Sequence, residues 1–86
     1  MDSYSIEWKR SAVKELKALP KEAIARIVDA VEQLADDPFP AGVKKLVGTD
    51  HTYRIREGNY RVIYDVLSKA LTIEVIRVGH RKDVYE

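Results

Sequence analysis

The five arginines in the second half of the chain fall on segments that strand geometry would bring together. Tyr53-Arg54-Ile55-Arg56 and Tyr60-Arg61-Val62-Ile63-Tyr64 read as neighbouring strands, and the chain runs on to Arg77-Val78-Gly79-His80-Arg81-Lys82-Asp83-Val84-Tyr85. A strand places alternate side chains on one face, so Arg54 and Arg56 point one way while Tyr53 and Ile55 point the other. A pair of guanidinium groups on a sheet, with more cations arriving from the next strand and the tail, suits phosphate chemistry. It is a poor way to build a core.

Positioning such a set needs a scaffold, and 86 residues allow one domain, spanning residues 1–86. A hydrophobic content of 45% is ordinary for a globular protein. The chain has no cysteine, which removes disulfides, thiolate catalysis and cysteine-bound zinc. The first residues, with Asp2, Glu7, Lys9 and Arg10, lack the pattern of a signal peptide, and no apolar run approaches a membrane span. The expected location is the cytoplasm. Net charge is only +1, but it is unevenly placed. Residues 1–43 carry six Lys/Arg against eight Asp/Glu, and residues 44–86 carry nine against six. The positive potential belongs to the second half, as a focused patch rather than a broad field.

Ser3 to Lys9 alternates, with Tyr4, Ile6 and Trp8 on one side, which predicts a half-buried strand. From Ser11 the period becomes helical through Ala12, Val13, Leu16 and Leu19, with Ser11 placed as an N-cap. Pro20 suits the first turn of a second helix, whose apolar stripe is Ile24, Ile27, Val28, Val31, Leu34 and Ala35. Asp36-Asp37-Pro38-Phe39-Pro40 ends it. A loop with a short ordered piece around 43–47 follows, then strands over 52–57, 60–67 and 71–78. The short connections between these strands imply antiparallel pairing. The expected fold is α+β: an N-terminal strand and a two-helix hairpin packed on one face of a mainly antiparallel four-stranded sheet, in the order β-α-α-β-β-β. Tyr53, Ile55, Val62, Tyr64, Val66, Ile73 and Val75 supply the face under the helices. The opposite parity holds Arg54, Arg56, Arg61 and Ile63, on the face the helices leave uncovered.

Other chemistries find no support in the residues. The two histidines, His51 and His80, are 29 positions apart and start no metal pattern. Asp36-Asp37 lacks the spaced ligands and glycine of a calcium loop. No nucleophile elbow or phosphate-cradling glycine loop occurs. Read singly, Arg54 and Arg56 match an ordinary solvated strand face paired with Asp65 or Glu74, and Arg61 a structural arginine. His80 alone reads as an exposed or hydrogen-bonded histidine.

The order of elements, with Tyr53-Arg54-Ile55-Arg56, Tyr60-Arg61-Val62-Ile63-Tyr64 and Val78-Gly79-His80-Arg81-Lys82-Asp83-Val84-Tyr85, resembles the RelE/ParE superfamily of toxin–antitoxin toxins. It looks most like the RelE branch, over essentially the whole chain. The resemblance implies a ribosome-dependent endonuclease that cuts mRNA in the A site without a metal or other cofactor, using the ribose 2′-hydroxyl as nucleophile. It implies a cognate antitoxin, a toxin–antitoxin hetero-oligomer, and the ribosome and mRNA as partners. By motif, Arg54 and Arg56 match the family's two basic residues on the first hairpin strand and Arg61 its arginine on the next. Arg81 matches its tail arginine, the group assigned to leaving-group protonation, and Tyr85 its C-terminal tyrosine. Relatives carry lysines where this chain has Arg54 and Arg56, and arginine does not act as a base at pH 7. The base can be His80, Tyr85 with a depressed pKa, Glu57, or no protein group. Two rival readings share the scaffold: a ParE-like inhibitor that binds DNA gyrase, and a degenerate toxin kept as a DNA-binding co-repressor.

Overall fold

The structure, a computed structural model, describes residues 3–80. Strand β1 (Ser5–Trp8) leads into helix α1 (Arg10–Lys17), and Ala18 to Pro20 separate it from α2 (Lys21–Gln33). Then come β2 (Lys44–Lys45), β3 (Thr52–Glu57), β4 (Tyr60–Leu67), a 3₁₀ turn over Ser68–Ala70, and β5 (Thr72–His80). They form one sheet in the order β1-β5-β4-β3-β2. The sheet therefore has five strands rather than the expected four, because the short ordered piece near residue 43 pairs with β3. β1 runs parallel to β5, and every other neighbour pair is antiparallel.

Both helices lie on one face. α1 packs on β5, and α2 on β3 and β4. Ala12, Leu16, Ile27, Val31 and Leu34 meet Ile55, Val62, Tyr64, Val66, Ile73, Val75 and Val78 in one buried cluster. The alternation of β1 has its expected effect, since Tyr4, Ile6 and Trp8 pack against that cluster. Ser11 is not the N-cap of α1. That position falls to Lys9, in extended conformation and without a side-chain cap. Pro20 likewise stands just before the first helical residue of α2, a displacement within the usual uncertainty of helix ends.

Two devices set the sheet's registers. Glu57 and Tyr60 are paired, so Gly58 and Asn59 form a two-residue hairpin loop, and Gly58 takes φ +60°, which strand twist demands of such loops. In β5, Val75 pairs with Tyr64 but Arg77 pairs with Ile63, which leaves Ile76 as the extra residue of a β-bulge. The bulge reverses the parity of everything after it. Ile73 and Val75 face the helices, and so do Val78 and His80.

Aromatic stacking fixes the segment after α2 to the sheet. The Tyr64 hydroxyl donates to the Pro38 carbonyl at 2.7 Å. Phe39 meets Tyr53 edge-on at 5.0 Å between ring centres, and Tyr53 stacks on Tyr64 at 6.1 Å. Burial raises the Tyr64 pKa above its ordinary value, helped by the neighbouring Tyr53 and Asp37.

Candidate active site: cationic rows on the outer face of the sheet

The pairings lay out the face opposite the helices as three parallel rows. Gly79, Arg61 and Arg56 form the first, across β5, β4 and β3. Arg77, Ile63, Arg54 and Lys44 form the second, across β5, β4, β3 and β2. Glu7, Glu74, Asp65 and Thr52 form the third, across β1, β5, β4 and β3. Directly opposite residues on a sheet have Cβ atoms about 4.5–5.5 Å apart. Two rows of cations thus lie side by side at the hairpin end of the face, and carboxylates gather at the other end.

Within the cationic rows the environments differ. Arg56 is exposed and Arg61 half-buried, with its Nε buried. Arg54 is only 2% exposed and Ile63 3%. Ile63 is buried without belonging to the helix-side cluster. Arg54 and Ile63 both lie on the face that carries no helix, yet neither is open to solvent there. A charged side chain is rarely buried. Arg54 is an exception that an alternating pattern cannot announce.

The acidic row has partners of its own. Asp65 accepts a hydrogen bond from the Thr52 hydroxyl at 2.6 Å, and His51 Nε2 lies 3.8 Å from its other oxygen. Arg77 reaches away from the face to Glu15 of α1, at 3.2 Å.

His80 does not share the arginine face. It pairs with Tyr60, on the parity of Val62 and Val78, and its ring meets the Tyr60 ring at 5.8 Å in an edge contact. Tyr60 packs against the helix-side core. Glu57, paired with Tyr60, has the same parity. Both of these sequence-derived base candidates stand on the side of the sheet away from Arg54, Arg56 and Arg61. Arg81 and Tyr85 lie outside the described residues.

One cation was missed by the sequence reading. Lys44 pairs with Arg54 across the strands and extends the second row to the sheet edge. A two-residue strand has no periodicity to reveal it. A cleft of about 450 Å³ opens at this edge, with Leu34 and Ile55 on its apolar side, Lys44, Arg54 and Arg56 supplying cations, and Asp37 at its lining. No cluster of metal-ligating side chains occurs among the described residues, and no helix there is long and apolar enough to cross a membrane.

Known proteins share this sequence pattern and fold. Residues 6–85 match the family model described as the ParE toxin of the type II toxin–antitoxin system parDE. Toxin RelG of Mycobacterium tuberculosis is 30% identical over 86 residues, covering 95% of each chain. Toxin RelE3 of Methanocaldococcus jannaschii is 35% identical over 81 residues, covering 90% of each. Among solved structures, the archaeal RelE–RelB complex from Pyrococcus horikoshii OT3 superposes with a TM-score of 0.82 at 33% identity, covering 95% of this chain and 99% of that one. The RelBE2 toxin–antitoxin complex of M. tuberculosis gives 0.81 at 27%, covering 92% and 99%. The chain belongs to the RelE/ParE superfamily of type II toxin–antitoxin toxins, in its RelE-like branch.

Proposed function

We propose that this toxin is a ribosome-dependent mRNA endonuclease whose reaction runs on the cationic rows of the outer sheet face. The observation that carries the reading is the direct pairing of Arg56 with Arg61, beside the row of Arg54 and Lys44. The substrate's 2′-oxygen attacks the adjacent phosphorus as the 5′-oxygen leaves, giving a 2′,3′-cyclic phosphate and a 5′-hydroxyl. Negative charge builds on the non-bridging oxygens, and preorganised guanidinium groups stabilise it more than they stabilise the ground state. The planar fork of arginine matches a pair of phosphate oxygens. Exposed Arg56 and half-buried Arg61 are the groups assigned to that contact, and buried Arg54 holds charge and shape beneath them.

His80 and Glu57 have the opposite parity, so the 2′-hydroxyl proton goes to Tyr85 or directly to solvent water. Arg81 is assigned to protonation of the leaving oxygen and Tyr85 to stacking on a base, both by resemblance. The two solved relatives compared above are toxin–antitoxin complexes, and we assign this chain a cognate antitoxin as well. An antitoxin segment pairing an apolar side chain with a carboxylate fits the cleft beside Lys44, Arg54 and Arg56, where it covers the reacting face.

The match to the ParE model supports a second reading, a DNA gyrase inhibitor that acts by binding. Incubating the protein with a defined mRNA, with and without programmed ribosomes, separates the two. Cuts in A-site codons that require ribosomes support the nuclease. Intact RNA from a protein that still arrests growth and inhibits supercoiling supports the gyrase reading.

A further inference from the structure

Glu15 stands outside every motif of the family resemblance, yet it touches the strand that feeds the site. Its carboxylate takes two hydrogen bonds from consecutive residues of β5. The Val78 backbone N–H donates to Oε1 at 3.0 Å, and the Arg77 guanidinium donates to Oε2 at 3.2 Å. The place is specific. β1 pairs with β5 only from Thr72 to Val75, and the Lys9 N–H makes the next contact, to the Val75 carbonyl at 2.9 Å. Beyond Val75 this edge of β5 has lost its partner strand, and there the bulge at Ile76 begins. A backbone N–H on an uncovered edge needs an acceptor. Glu15 supplies it from the helix above, half-buried, in a charge-assisted bond.

The bulge decides which side of the sheet each later residue occupies. Without it, the alternation of Ile73 and Val75 would continue through Arg77 and Gly79, sending Arg77 into the helix side and Val78 out of it. With it, Val78 enters the core and Gly79 comes opposite Arg61. A residue without a side chain then ends the row of Arg61 and Arg56. A one-residue slip inverts the whole arrangement.

We infer that Glu15 is a positioning residue: by holding the β5 bulge from α1, it fixes the register that places Gly79 against Arg61 on the reacting face. It acts through the strand and touches no substrate. The functional half of this inference rests on the nuclease reading; the structural half does not.

The test uses full-length protein in four forms: wild type, Glu15→Ala, Glu15→Gln and Arg77→Ala. Nuclear magnetic resonance follows amide exchange at Val78 and the cross-strand backbone contacts between Arg61 and Gly79. Single-turnover cleavage on programmed ribosomes at saturating toxin is measured beside ribosome affinity. In Glu15→Ala the Val78 amide should exchange at least tenfold faster, the Arg61–Gly79 contacts should weaken, and the cleavage rate should fall at least tenfold with affinity within twofold. Glu15→Gln keeps an oxygen for the Val78 N–H and should restore the rate to within threefold of wild type. Arg77→Ala leaves the Val78 N–H its acceptor, so Val78 exchange should stay within threefold of wild type, and a tenfold rise would overturn the assignment of that bond to Glu15. Wild-type exchange and cleavage in Glu15→Ala would overturn the inference, as would equal losses in the Ala and Gln variants. If wild type cuts no RNA, the nuclease reading fails by itself. Val78 exchange then still decides the structural claim, and an unchanged rate in Glu15→Ala overturns it.

Discussion

Arg56 on β3 and Arg61 on β4 are direct register partners on the sheet face that carries no helix. Like charges placed opposite one another cost about 0.2–1 kcal/mol relative to neutral pairs. Arg56→Thr, a β-branched residue suited to a strand, should therefore raise the stability of the free protein by a few tenths of a kcal/mol while lowering cleavage about 10²-fold or more. Thermal melts with and without sulfate, a phosphate-like anion, check the same point. Sulfate should stabilise wild type more than Arg56→Thr, and equal stabilisation would show that the pair does not gather anions.

Arg54 and Arg56 are two positions apart with the same parity, yet they should respond differently to truncation. Arg54 is buried and Arg56 exposed. Arg54→Ala should cost at least ~2 kcal/mol through lost packing and disrupted polar contacts. Arg56→Ala should stay within about 0.5 kcal/mol of wild type. Urea unfolding of both variants tests this, and a stable Arg54→Ala would contradict the burial.

Tyr64 should govern the alkaline limb of stability. Its folded-state pKa is raised, first by burial and then by Tyr53 and Asp37. The unfolded chain therefore loses this proton before the folded one does. The contribution is fully present below the unfolded value of about 10 and is lost as pH rises from there towards the folded value. Tyr64→Phe should remove that part of the alkaline slope. At neutral pH it should cost about 1 kcal/mol for the lost bond to the Pro38 carbonyl. Denaturant unfolding at pH 7 and above pH 10 reads both effects.

Leu71 offers a stabilising change. It sits at φ 47°, a left-handed backbone that a branched side chain adopts at a cost of roughly 1–2 kcal/mol, and it is 41% exposed. Leu71→Gly should gain up to about 1 kcal/mol net of glycine's greater chain entropy. For a domain of this size that is roughly 4–8 °C in Tm, which calorimetry would detect.

Much of this architecture is legible in the residues themselves. The bounds of β3 and β4 follow from alternation and from the Gly58-Asn59 turn, and the apolar stripe of α2 is plain. The rows across the outer face are only half legible. Alternation puts Arg54, Arg56 and Arg61 on one side, but Lys44 joins them through a strand too short to have a period. The burial of Arg54 contradicts what charge alone suggests. The bulge did leave a signal. Apolar spacing of two between Ile73 and Val75 becomes three before Val78, with Val75-Ile76 adjacent, and that step flips His80 away from the arginines. Read as an uninterrupted strand, the segment hides that step, and His80 stands among the base candidates on its chemistry alone.

If the guanidinium pair on the outer face drives RNA cleavage, removing one of its members must slow the reaction. The most direct test is single-turnover cleavage of a defined mRNA on programmed ribosomes, comparing wild type with Arg61→Ala and mapping the ends. Wild type should cut within A-site codons only when ribosomes are present, leaving a 2′,3′-cyclic phosphate. Arg61→Ala should be slower by about 10²–10³-fold while folded. Equal cleavage by the two proteins would exclude the guanidinium pair from the reaction.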